Sequence, residues 1–288
     1  MIPCHLSDEA LLEEIRDTPG SPERFDAWWL GQSGFLIHWN GHFLLLDPYL
    51  SDSLTRKYAT TDKPHTRMTS LVVPPQALDM VRVVTSSHNH TDHVDAETLV
   101  PMALACPGLA LILPSANESF ARERLSAAGT RMPAFHGLDD GTTLVIGPWE
   151  FHGIAAAHNE VARDAEGRCL YLGYVIRFGA FAIYHSGDTL WHSGLAPALI
   201  PHAVDLAFLP INGNRPERRV SGNLNGTEAA ALGKVIGARL TVPCHYHQFV
   251  FNTEEPDEFI HACARMGTPH RVLRCGERLT VAQASTTD

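Results

Sequence analysis

Apolar and polar positions fall into short blocks along this chain, and the period within each block separates strands from helices. Residues 27–39 and 42–46 read as strands joined by Asn40-Gly41, a dipeptide that supplies the positive φ of a tight hairpin. Asp47-Pro48 ends the second strand, because proline cannot donate to a ladder and restricts the residue before it. Residues 51–75 are polar and hold Arg56, Lys57, Lys63 and Arg67, a pattern that suits an active-site loop or lid and equally a plain surface excursion. Strands are expected next at 81–86 and 109–113, and helices at 96–105 and 117–128, the second closed by Gly129. Strands then dominate at 143–146, 150–156, 171–177, 180–185 and 206–210, with Gly179 making a turn. Helices return at 227–236 and 256–266, followed by strands at 240–243 and 271–274. Both halves hold antiparallel-looking hairpins plus helices, which suits an α/β (α+β) fold of two sheets packed face to face with helices outside. Without an internal repeat or a linker-like stretch, a single domain over residues 1–288 is expected.

Composition narrows the class of partner. A net charge of -10 argues against extended contact with nucleic acid, which clustered Lys and Arg would have to carry, but leaves room for a small anionic substrate held by a few local cations. The start of the chain lacks the basic residues and apolar run of a secretory signal, and no apolar run is long enough to cross a bilayer. No membrane partner is expected. The six cysteines are scattered without a CxxC or compact framework, so the protein reads as cytoplasmic. A small molecule is the expected partner, and assembly into a homo-oligomer stays open.

Seventeen histidines are the unusual feature. A lone histidine is more often a hydrogen-bonded core or surface residue than a metal ligand, so their placement decides. At the end of the apolar run 81–85 stands Ser86-Ser87-His88-Asn89-His90-Thr91-Asp92-His93. Four potential ligands on a short turn after a strand can converge on a small volume. A turn after Thr91 would free Asp92 and His93 to address a second metal.

This HxHxDH run resembles the signature of the metallo-β-lactamase superfamily, which implies an αββα sandwich with metals at one edge of the sheets. The resemblance extends to a histidine after a later strand, met by His158, to a Gly-Asp acid, met by Asp188, and to a last histidine, met by His245. It implies that His88, His90 and His158 hold one divalent ion, that Asp92, His93 and His245 hold a second, and that Asp188 bridges them. Such a pair, manganese or zinc, would acidify water to a bridging hydroxide and polarise the substrate's oxygen, while Asp92 orients the nucleophile or returns a proton. His185 and Asp95 lie beside the motifs and suit supporting roles.

Finer motifs are similar to the L-ascorbate-6-phosphate lactonase group: Trp29-Leu30-Gly31-Gln32-Ser33-Gly34-Phe35, Leu46-Asp47-Pro48, Leu209-Pro210-Ile211-Asn212-Gly213-Asn214, Ser221-Gly222-Asn223-Leu224 and Pro243-Cys244-His245-Tyr246. The group implies opening of a lactone in a small, phosphorylated, sugar-acid-like substrate. Arg215, Arg218 and Arg219 then become candidate anion contacts, with Asn212, Asn214 and His247 as further substrate contacts, against the plain reading of a solvated basic loop. The metal motif also resembles that of phosphodiesterases of the N-acyl-phosphatidylethanolamine phospholipase D type. Outside hydrolysis, a di-iron redox protein or a non-catalytic metal-binding scaffold is weighed. Di-iron members of the fold prefer an acid at the position of His90, and a scaffold would be expected to have lost a ligand.

Overall fold

In the computed structural model, which describes residues 1–129 and 131–283, the chain forms two β-sheets with helices packed on them. The elements run α1 (Asp8–Asp17), β1 (Arg24–Trp29), β2 (Phe35–Trp39), β3 (His42–Leu46), α2 (Ser53–Lys57), β4 (Val83–Thr85), α3 (Ala96–Ala105), β5 (Ala110–Pro114), α4 (Glu118–Ser126) and β6 (Ala134–Leu138). They continue β7 (Thr143–Ile146), β8 (Trp149–Ala155), β9 (Leu172–Phe178), β10 (Phe181–His185), α5 (Leu195–Leu199), β11 (Leu206–Pro210), α6 (Gly226–Val235), β12 (Leu240–Cys244), α7 (Asp257–Met266) and β13 (Arg278–Ala282). The first sheet is ordered β13-β1-β2-β3-β4-β5-β6 and the second β12-β11-β10-β9-β8-β7. This is the expected αββα sandwich.

Aromatic side chains close the space between the sheets. Phe25 on β1 meets Phe178 and Phe181 edge-on at centroid distances of 5.3 and 5.0 Å, and Phe35 on β2 stacks on Phe208 of β11 at 3.9 Å. All five rings are at most 2% exposed, and each such side chain contributes roughly 1.5–3 kcal/mol by leaving water.

Strand direction decides where loops emerge. β3, β4, β5 and β6 pair in parallel, as do β10, β11 and β12, because the long segment holding α2 and then α3, α4, α5 and α6 carry the chain back between them. The antiparallel reading of both halves therefore holds only for β13-β1-β2-β3 and β7-β8-β9-β10. Antiparallel pairing across β2 and across β9 makes β1 run with β3 and β8 with β10. The C-terminal ends of β1, β3, β4, β8, β10 and β12 send their loops toward one edge of the sandwich, where open α/β sheets place ligands.

Several boundaries differ from the pattern-based expectation. The expected strand 27–39 is two strands, since Gly31 at φ 92° and Gln32 at φ 48° reverse the chain, and Leu30 N–H donates to the Gly34 carbonyl at 2.8 Å. The expected strand 271–274 is a loop with a turn at Gly276, and the pairing segment lies further on as β13 against β1. α1 was hidden in an acidic stretch, although Leu11, Leu12 and Ile15 form the buried stripe of an amphipathic helix. β6 carries His136 and Gly137 on a half-exposed sheet edge, so its apolar signal is weak. Among the described residues no helix is long and apolar enough to cross a membrane.

Candidate metal centre

Histidine and aspartate side chains gather at the sandwich edge from four of these strand ends. His88, His90, Asp92 and His93 follow β4, His158 follows β8, Asp188 follows β10 and His245 follows β12. Three donor groups result, His88 with His90 and His158, His88 with His93 and Asp188, and Asp92 with His93 and His245, and within each the donor atoms lie within 4.8 Å of one another. Asp188 links the sets. Its Oδ1 is 3.5 Å from His93 Nε2, and its Oδ2 is 3.8 Å from His158 Nε2 and 3.4 Å from His245 Nε2. The seven residues singled out from the motifs are thus brought together, although His158 and His245 are far from the His88 cluster in sequence.

Hydrogen bonds set the rings. A carbonyl can only accept, so His158 Nδ1–H donates to the Gly222 carbonyl at 3.0 Å and leaves the lone pair on Nε2. His93 Nδ1–H likewise donates to Asp47 Oδ2 at 2.7 Å, and His88 Nδ1 lies 3.0 Å from Ser87 Oγ. The opposite nitrogens face inward. His88 Nε2, His93 Nε2 and Asp188 Oδ1 are buried without a hydrogen-bond partner among the described residues.

Charge tells the same story. Burial, with His93 and His90 adding to it, holds the His88 imidazole well below its ordinary pKa, so it is a neutral ring with a free lone pair. Burial alone would raise the Asp188 carboxyl, but the His245 and His93 imidazoles outweigh it and hold the group well below the carboxylate range. The same carboxylate, with Asp92, pushes His93 and His245 up against the effect of their burial. The buried Asp188 carboxylate and the partly buried Asp92 carboxylate therefore favour positive charge where the unpartnered nitrogens point. His88, His90 and His158 are held low by burial and offer neutral rings, while His93 and His245 would give up a proton to a cation beside the two carboxylates. Such a set of imidazoles and carboxylates fits divalent cations, and both manganese and zinc accept it.

Supporting residues wire the loops to one another. Asp47, fully buried after β3, accepts from the Ser87 amide at 2.9 Å and from Thr85 Oγ1 at 2.7 Å as well as from His93. His185 Nε2 bonds the Ser33 carbonyl at 2.8 Å, while its Nδ1 accepts from the Gly187 amide at 3.3 Å, fixing the turn before Asp188. Asp95 caps α3, taking Thr98 Oγ1 at 2.6 Å. Gln32 Nε2 donates to Asp92 Oδ2 at 2.8 Å and stands 3.0 Å from His245 Nε2, and the Gln32 carbonyl accepts the His245 amide at 2.9 Å. Gln32, Asp47 and His245 all have φ between 38° and 61°, a left-handed backbone that side-chain-bearing residues keep only where surroundings enforce it.

Gly187 has no room for a side chain. At φ 56°, a Cβ there would stand 2.3 Å from Ser87 Cβ, directly beside His88. Gly187→Ala is expected to displace Asp188, costing about 1–3 kcal/mol of backbone strain together with most of the bound metal. Metal content by mass spectrometry and a thermal melt check this, and wild-type values for both would refute it.

The centre lies on the wall of a cavity of about 860 Å³, also lined by Tyr171, whose ring centre is 5.4 Å from that of His88. Of the candidate substrate contacts, only Arg219 is on this lining, and its guanidinium pairs with Asp62. Arg215 and Arg218 both pair with Glu254 of the segment between β12 and α7, so their charge is met by that carboxylate. Asn212 is fully buried against Asn223 and Asn252, and Asn214 packs on Gly222. His247 bonds Glu255 at 2.7 Å and faces a second, smaller cavity.

Reasoning from motifs passed over Gln32, Asp47, Ser87 and Tyr171 as parts of the site. For Asp47 the sequence holds a signal, an acid directly after an apolar strand, but Leu46-Asp47-Pro48 reads there as a strand stop and a family motif and not as part of the site.

Comparison with known proteins agrees with this geometry. Residues 42–246 match the family described as beta-lactamase superfamily domain. A protein named UPF0173 metal-dependent hydrolase from Rubrobacter xylanophilus is 27% identical over 263 residues, covering 87% of this chain and 94% of its own length. The isothiocyanate hydrolase from Delia radicum gut bacteria superposes with a TM-score of 0.70 at 18% identity, over 90% of this chain and 100% of that one. Igni18, a metallo hydrolase from Ignicoccus hospitalis, gives 0.65 at 20% identity over 91% and 100%. At such identities the structural matches speak for the fold alone.

Proposed function

The chain belongs to the beta-lactamase superfamily, and on that premise we propose that it is a metal-dependent hydrolase whose two divalent ions sit in the His and Asp donor groups. The observation that carries this reading is the set of buried, unpartnered donor atoms of His88, His93 and Asp188 converging beside a large cavity. His88, His90 and His158 would hold one ion, and Asp92, His93 and His245 the other, with Asp188 between the sets. Bound there, divalent ions would supply Lewis acidity toward a carbonyl or phosphoryl oxygen and lower the pKa of water.

The remaining work falls to the protein. Asp92 lines the cavity and already accepts from Gln32, so its carboxylate is positioned to take a proton and return it to a leaving group. The Asp47 carboxylate, by accepting the His93 Nδ1 proton, keeps that ring's Nε2 lone pair aimed inward. Tyr171 lines the same cavity, with its ring centre 5.4, 6.4 and 5.5 Å from those of His88, His90 and His158.

Within hydrolysis we assign lactone opening as the specific reaction, supported by the Gln32, Asn212 and Ser221 to Leu224 motifs quoted above. The test is metal analysis followed by turnover on matched lactone, phosphodiester and thioester panels, before and after chelation. Lactone hydrolysis that chelation removes and manganese or zinc restores is the expected result. Phosphodiester turnover alone would replace the lactone assignment. Metal without turnover on any panel would favour a scaffold, and oxidation without hydrolysis a di-iron protein.

A further inference from the structure

The cavity wall facing the metal centre carries more positive charge than the protein around it. Lys57, Lys63, Arg124 and Arg219 line it, while its only carboxylates among the described residues are Asp92 and Asp188 of the donor groups. In a chain of net charge -10, such a concentration focuses potential into the cleft. The four cations differ in what occupies them. Arg219 is paired with Asp62, and Arg124 donates to the Asn89 and Val94 carbonyls at 2.9 and 3.1 Å. Lys57 and Lys63 have no carboxylate within ion-pair distance among the described residues. Lys57 Nζ reaches Thr91 Oγ1 at 3.3 Å, between His90 and Asp92, and Lys63 Nζ reaches the Arg219 carbonyl at 2.5 Å.

Apolar rings stand beside the two lysines. His65 stacks on Tyr58 at 4.5 Å and meets Phe249 and Phe251 at 5.1 and 5.3 Å, so one cavity wall is aromatic. We infer that the cavity recognises an anionic substrate, a carboxylate or phosphate carried on an apolar body, with Lys57 and Lys63 gripping the anion and the Tyr58, Phe249 and Phe251 rings covering the body. This rests on the hydrolase reading for what happens to the ligand, but its recognition does not. It also moves anion recognition from the 215–219 arginines to the segment after Leu50. A lysine ammonium is a point charge on a flexible stem, suited to an anion whose position shifts as the reacting group is seated.

The test is a calorimetric titration of the metal-loaded protein with phenylphosphonate, benzoate and benzyl alcohol, in the wild type and in a Lys57→Ala/Lys63→Ala variant. Metal content is measured on each sample. The double variant is expected to bind the anions at least about tenfold more weakly, from the loss of charge-assisted contacts, and the alcohol equally well. A larger loss for phenylphosphonate assigns a phosphate-class ligand, and an equal loss for benzoate a carboxylate-class one. An Arg16→Ala/Arg271→Ala control removes the same charge away from the cavity lining and is expected to keep wild-type affinity. Unchanged anion affinity in the lysine variant, or an equal loss in the control, overturns the inference. Because the readout is binding, a protein that binds these anions but turns over no panel substrate would refute the hydrolase reading alone.

Discussion

Asp188→Ala is expected to abolish metal-dependent hydrolysis while leaving the sandwich folded. The carboxylate lies within 3.8 Å of ring nitrogens from three different loops, so its removal takes away the one anionic group shared by the donor sets. Losing even an outer partner of a metal ligand typically costs about 10–100-fold in affinity or activity, and losing a shared inner carboxylate should exceed that. The fold should survive because Asp188 sits in a loop after β10, and its removal also relieves the burial of a charge. Metal stoichiometry, turnover and circular dichroism on one sample separate the outcomes. Full turnover at wild-type metal content would contradict the role given to this residue, whereas an unfolded variant would show that the charge network also holds the edge of the sandwich together.

Asp47→Ala is the second change with a large expected effect, and its signature is different. Asp47 is completely buried, and burial opposes its charge. The His185 and His93 imidazoles, with the Ser87 group, nevertheless keep its carboxyl below the ordinary range. Alanine would strand the His93 Nδ1–H, the Ser87 amide and the Thr85 hydroxyl without their acceptor. Breaking a buried, hydrogen-bonded pair in this way costs about 3–5 kcal/mol, and the freed His93 ring should weaken metal binding as well. Urea unfolding of the metal-free protein reads the first effect, and competition with a chelating dye the second. Asp47→Asn keeps an acceptor oxygen and should fall between alanine and wild type. A metal-free Asp47→Ala protein as stable as the wild type would remove Asp47 from the account.

The candidate metal ligands are legible in the sequence because chemistry concentrates them. His88, His90, Asp92 and His93 occupy one turn, and no ordinary strand or helix interior would place so many ionisable groups together. Their meeting with His158, Asp188 and His245 was legible only through family resemblance, since nothing local in Ala157-His158 or Cys244-His245 states where that loop will go. Direction was the missing quantity. Whether two apolar blocks pair in parallel depends on the connection between them, so the hairpins seen in pattern were assigned to both halves, while β3 to β6 and β10 to β12 run parallel.

The anion contacts show the same limit from another side. The arginines at 215, 218 and 219 looked available because sequence lists charges without their partners, and Glu254 and Asp62 take those charges in the folded chain. For Lys57 and Lys63 the sequence leaves an active-site loop and a plain surface excursion equally open, and tertiary structure lays their segment against the cavity. Gln32 was read through as part of a continuous strand, yet its positive φ is what turns the amide toward Asp92 and His245.

The most direct measurement is an anomalous-scattering map from crystals of the protein grown with manganese or zinc, recorded at the metal's absorption edge. The account predicts two peaks, one bounded by His88, His90 and His158 and the other by Asp92, His93 and His245, with Asp188 reaching both. Peaks elsewhere on the surface, with the seven side chains contacting no ion, would contradict it.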